Sequence, residues 1–176
     1  MSLLLEHFKR VKDLHDQGIP TESTLCFDVI GTLADVYNPE TEEYEKKYQA
    51  LIDFKKWAHE KKLFEQHIVF SSNVDEAVRE LRRKKIEPSE LQLENYGDVI
   101  SKKWVYNDMN LKHEELANKD NRFENTQSYK LDLIIDDIPP SDDRFIEDEV
   151  AVTHWDPCTP EVRQFLNKKE YLTLDL

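Results

Sequence analysis

The stretch TLCFDVIGTL, residues 24–33, carries the fold. Its apolar run LCFDVI is too short for a helix, is rich in strand formers and is closed by Gly31, so it predicts a buried strand. One acid, Asp28, stands where that strand meets the turn, and the residue two further on is the apolar Ile30. Further along, the same grammar returns. HIVFSS at 67–72 is a second apolar strand ending in Ser71 and Ser72, and LDLIIDD puts an apolar strand at 131–135 that ends in Asp136 and Asp137 before Pro139 and Pro140. EVAVTHW at 149–155 reads as a fifth strand, and Asp98 to Ile100 and Trp104 to Tyr106 are each candidates for part of the third.

Helical periodicity fills the spaces between. Leu4, Leu5, Phe8, Val11 and Leu14 recur at helical spacing over 3–16 until Gly18 and Pro20 stop the pattern. Residues 42–61 repeat as Tyr44, Tyr48, Leu51, Phe54 or Lys55, and Ala58, which predicts a second long helix. Asn73 is placed to cap the next helix with Glu76 as its capping-box partner, 111–119 reads as a short helix, and Thr159 with Pro160 opens a last one through Tyr171. Alternating short strands and helices predict an α/β three-layer sandwich around a parallel, Rossmann-like sheet of about five strands. A single domain over 1–176 is expected, with an extra N-terminal helix in 1–20 and the core in 21–176. In such sheets the reactive crevice lies outside the carboxyl ends of the strands, so Asp28, the hydroxyls after the second strand and the tandem acids should converge.

Composition removes several classes of function. The formal charge of −13 repels phosphate backbones and disfavours non-specific nucleic-acid binding, and RELRRKK at 79–85 reads as a solvated helix face. No stretch approaches the roughly 20 apolar residues of a membrane span, and the charged N-terminal segment is unlike a signal peptide, so no membrane partner and a cytoplasmic location are expected. Cys26 and Cys158 are expected as free thiols. Three glycines, far apart, leave no glycine-rich phosphate loop, and the six histidines show no paired zinc spacing.

Acids gathered at one sheet edge repel one another unless a cation is present. FDVIGTL, IVFSS and LDLIIDD, in that order and each closing an apolar strand, resemble the motifs of the haloacid dehalogenase-like (HAD) hydrolase superfamily over about residues 24–165. The resemblance implies that Asp28 is the nucleophile and that Ser71 and a lysine hold the transferred group. Lys112 is narrowly favoured as that lysine over Lys102 and Lys103. It also implies a Mg²⁺ cofactor held by Asp28, the backbone carbonyl of Ile30, Asp136 and Asp137. Thr32, Ser72 and Lys103 stand beside these as substrate-binding candidates. A carboxylate attacking phosphorus needs a hard cation to offset charge, and a covalent aspartyl phosphate divides one hard displacement into two easier ones.

Ile30 departs from the pattern, because phosphatases of the family carry there an Asp that protonates the leaving group. Three readings follow. One is a divergent magnesium-dependent phosphohydrolase that is slow, takes an activated leaving group or recruits Asp35 or His154. Another is a catalytically impaired HAD-fold protein kept for binding or regulation, and the third is a metal-free dehalogenase-like hydrolase. The short span between Asp28 and Ser71 leaves no room for a sizeable cap. An open site suits a phosphorylated substrate of macromolecular size, or a protein partner.

Overall fold

The computed structural model describes residues 8–9, 12–14, 16–18, 24–107, 133–138 and 153–174. In chain order these form β1 (Thr24–Asp28), β2 (Ala34–Asn38), β3 (Glu43–Lys47), α1 (Gln49–Lys61), β4 (Gln66–Ser71), α2 (Val74–Arg83), β5 (Ile100–Ser101), β6 (Leu133–Ile135), β7 (Thr153–Trp155) and α3 (Pro160–Asn167). Residues 102–107 are also helical. Five strands make one sheet in the order β5-β4-β1-β6-β7, with every neighbouring pair parallel. The chain is therefore an α/β fold with helices flanking a five-stranded parallel sheet, compatible with a Rossmann-like arrangement.

The strand residues alternate between two apolar layers, as the two-residue period of a strand requires. Leu25, Phe27, Val69, Leu133 and Ile135 join Leu51 and Phe54 of α1 and Phe165 of α3 in the larger cluster. Cys26, Phe70 and Ile134 join Val105 and Tyr106 in the smaller one. Burial on both faces explains why β1 is a continuous apolar run. α1 also buries Lys55, whose ammonium donates to Leu91 O at 2.7 Å and Gln92 Oε1 at 3.2 Å and so fastens the turn at Pro88–Leu91. Among the described residues no helix is long and apolar enough to cross a membrane.

The structure corrects several expected boundaries. The first part of the helix expected at 42–61 is strand β3, which pairs antiparallel with β2, and α1 begins only at Gln49. Cross-strand pairing outweighs the accidental helical spacing of Tyr44, Tyr48 and Leu51. Tyr37 and Tyr44 meet edge-on with ring centres 5.4 Å apart, Asn38 Nδ2 donates to Glu45 Oε1 at 2.9 Å, and Tyr48 N–H donates to Leu33 O at 3.0 Å. Trp104 to Tyr106 is helical, part of the segment 102–107, and buries Val105 and Tyr106. The third strand is only Ile100–Ser101. Asp98 instead caps a short turn, accepting the N–H groups of Glu94 and Asn95.

At the helix ends, Asn73 Oδ1 accepts Glu76 N–H at 3.1 Å as expected, whereas Asn73 N–H donates to Ser71 Oγ at 3.2 Å. Thr159 turns its hydroxyl to Asp156 O, and α3 stops at Asn167 because Lys169 enters the left-handed region at φ 50°. Of the opening helix, residues 8–9, 12–14 and 16 are described and are helical; the helix expected at 111–119 lies outside the described residues.

Phe8 carries the N-terminal helix into the core. Fully buried, it meets Phe54, Trp57, Phe64 and Trp155 edge-on with ring centres 5.5 to 6.0 Å apart. Phe8→Ala is expected to lower unfolding free energy by about 3–5 kcal/mol, read as a shift of the urea midpoint at constant slope.

Candidate active site

After β1 the chain coils tightly. Val29 O accepts the N–H groups of Thr32, Leu33 and Ala34 at 3.2, 2.9 and 3.0 Å, and Gly31 N–H donates to Ala34 O at 2.7 Å. Gly31 stands at φ 87°, which L side chains rarely adopt, and a Cβ there would lie 2.3 Å from Asp137 Oδ2. Glycine is thus required both by the turn and by the close approach of the loop after β6. Because β6 lies beside β1, that loop and the β1 turn share the carboxyl edge of the sheet. Thr32 ties them together. Its buried hydroxyl donates to Asp28 Oδ2 at 3.1 Å and accepts Asp137 N–H at 3.2 Å.

Asp136, fully buried, is held from every side. Its N–H donates to Trp155 O at 3.1 Å and its Oδ1 accepts Ile138 N–H at 3.0 Å. Its carbonyl oxygen lies 2.7 Å from His154 Nε2, and since a carbonyl only accepts, Nε2 carries the proton. From the far side of β1, Lys102 reaches across. Its ammonium lies 2.9 Å from Asp28 Oδ1 and 2.6 Å from Asp136 Oδ2, over the ring of Phe70.

Carboxylate oxygens of Asp28, Asp136 and Asp137 fall within 4.8 Å of one another. With all three acids ionised the cluster would carry a net charge of about −2 against one ammonium, in a site where Asp28 and Lys102 are each 4% exposed. Burial, helped by the charge of Asp136, pushes Asp28 up to about 8 in spite of Lys102. Asp137 is also raised, by burial first and then by Asp136. Burial alone would lower the Lys102 ammonium, but the Asp28 and Asp136 carboxylates outweigh it and hold it above its ordinary value.

These donors fit a hard divalent cation. All three side chains offer oxygen, the excess charge matches, and Asp137 Oδ1 is buried without a hydrogen-bond partner. Of the other expected site residues, Ser71 is buried with its hydroxyl donating to Asn73 O at 3.1 Å, while Ser72 and Lys103 are exposed. Ile30 forms a one-residue bridge with Ala34 and packs its side chain against the core. Asp35 pairs with Lys84 at 2.9 Å. Lys112 lies outside the described residues, and the lysine found in the cluster is Lys102. The signal for it was positional: Lys102 follows the last residue of β5 directly, as Asp136 follows β6. Comparison with protein-family models, with curated proteins and with solved structures gave no match.

Asp28 makes the cation-free site a source of instability at neutral pH. Its folded pKa lies above the unfolded value, so between about pH 4 and pH 8 the folded state binds more protons and stability falls as pH rises. Asp28→Asn is expected to raise the denaturation midpoint of the metal-free protein at pH 8 and to leave it little changed at pH 4, measured by urea titration in chelator.

Proposed function

We propose that the chain is a HAD-like, magnesium-dependent phosphohydrolase working through an aspartyl-phosphate intermediate. The observation that carries this reading is the buried set of Asp28, Asp136 and Asp137 with Lys102 bridging the first two at 2.9 and 2.6 Å. It stands at the carboxyl edge of a parallel sheet, where such folds bind ligands. Asp28 closes the central strand and is the candidate nucleophile. Asp28, Asp136 and Asp137 would hold Mg²⁺, which when bound offsets the charge of a phosphoryl group and orients it.

The remaining residues position and neutralise. Thr32 holds one oxygen of Asp28 and Lys102 the other, so the carboxylate keeps a single orientation. Lys102 supplies fixed positive charge beside the nucleophile, the kind of preorganised compensation on which phosphoryl transfer depends. Ser71, at the end of the neighbouring strand β4, is the candidate hydroxyl for an equatorial phosphoryl oxygen, which would require it to exchange its bond to Asn73 O.

A second reading is a catalytically impaired member that keeps the fold and the cation for binding. Ile30 favours it, since this side chain has no exchangeable proton and packs on the core. Release of p-nitrophenol from its phosphate ester separates the two. Turnover is expected to need Mg²⁺, to fall to background in Asp28→Asn, and to drop about 10²- to 10³-fold in Lys102→Met. Calorimetric Mg²⁺ binding with no turnover would select the binding role, and metal-free halide release from 2-haloacids would select the dehalogenase-like one.

A further inference from the structure

Resting on the cation site of the phosphohydrolase reading, we propose that His154 is a positioning residue for the cation, acting through the peptide that joins Asp136 to Asp137. In an unbroken strand two consecutive side chains point to opposite faces. Asp136 and Asp137 nevertheless bring carboxylate oxygens within 4.8 Å of one another and of Asp28. The chain leaves its strand path after Asp136 and bends at Asp137 and Ile138. Whatever holds the peptide at the start of that bend sets where the two acids meet.

Side chains from elsewhere in the fold hold both ends of this peptide. Its carbonyl oxygen, that of Asp136, takes the His154 Nε2 proton at 2.7 Å, and its N–H, that of Asp137, donates to Thr32 Oγ1 at 3.2 Å. The Thr32 hydroxyl in turn donates to Asp28 Oδ2 at 3.1 Å, so the imidazole is linked through the peptide and Thr32 to the candidate nucleophile. Each hydrogen bond in such a chain polarises the next. The plane of one peptide thus sets the direction of Asp137 and steadies the hydroxyl that orients Asp28.

The sheet ladder explains why a side chain is needed there. β6 and β7 pair in parallel with Ile135 opposite Trp155, and Asp136 N–H donates to Trp155 O at 3.1 Å. In a parallel ladder the carbonyl of that same residue takes the N–H two positions further along the partner strand, which here is residue 157. Residue 157 is proline and has no N–H to give. His154, opposite Ile134 on β7, supplies the donor in its place. A backbone rung would have carried β6 straight on; a side-chain donor satisfies the carbonyl while letting the chain bend, and the bend brings the Asp137 carboxylate against Gly31, beside Asp28.

The test is calorimetric Mg²⁺ titration of the unsubstituted chain, His154→Gln and His154→Leu, with urea midpoints in chelator measured alongside. Gln carries an amide nitrogen about as far from its backbone as Nε2, whereas Leu keeps the bulk without the donor. His154→Leu should bind Mg²⁺ about 10- to 100-fold more weakly, the usual effect of losing a contact that orients a metal ligand, and His154→Gln should recover most of that loss. Unchanged Mg²⁺ affinity in His154→Leu with only the urea midpoint lowered would show a purely structural hydrogen bond and overturns the proposal, as does an equal loss of affinity in the Gln and Leu variants. Where His154→Leu does not fold, His154→Gln is compared with His154→Asn, whose amide nitrogen stops short of the carbonyl, and equal affinity of these two overturns the proposal. Mg²⁺ binding without turnover of p-nitrophenyl phosphate overturns the phosphohydrolase reading alone, and the affinities still decide for or against His154. An unsubstituted chain that binds no Mg²⁺ overturns both.

Discussion

One ammonium set against three carboxylates is the constraint around which this edge of the protein is organised. Lys102 spans Asp28 and Asp136 where all three are buried, so its attraction is strong but covers only part of the acidic charge. The remainder is managed by neutral dipoles. Thr32 and the backbone N–H of Ile138 each donate to one carboxylate oxygen, and the rest of the imbalance appears as raised protonation of Asp28 and Asp137. Such an arrangement is poor as a structural ion pair and well suited to receiving a divalent cation.

Its precision comes from the sheet. Parallel pairing of β1 with β4 and with β6 lines up the ends of three strands, and the coiled turn at 29–34 then brings Thr32 back over Asp28. The hairpin of β2 and β3 is fastened to elements around it by ion pairs: Asp35 with Lys84, Lys47 with Glu90, and Glu45 with Arg163. These pairs are partly exposed and individually worth little. Their value is in holding a particular arrangement, while the buried Val36 and Leu33 supply the binding energy.

The legible part of the sequence was the part with a short period and a hard stop. TLCFD, HIVFS and LII are apolar runs ended by Asp28, Ser71 and Asp136, and sheet physics alone places those ends on one edge. The hairpin was not legible, because EYEKK is charged on both faces and its Tyr44 falls by chance at helical spacing from Tyr48 and Leu51. Lys102 was hard to single out for a different reason. β5 is only two residues long, too short to announce itself, so the lysine that closes it looked like one surface lysine among several. The committed hydroxyls of Thr32 and Ser71 belong to tertiary hydrogen bonding, which no local pattern encodes.

Asp136 and Asp28 are tied to the fold in different ways. Asp136 joins β7 and the imidazole of His154 through its main chain, and its side chain takes the Ile138 N–H and the Lys102 ammonium. The Asp28 carboxyl accepts from Thr32 and lies against Lys102, and burial pushes it toward its protonated form. An amide at position 136 would keep an oxygen for the Ile138 N–H but turn its nitrogen toward the Lys102 ammonium, setting two donors face to face.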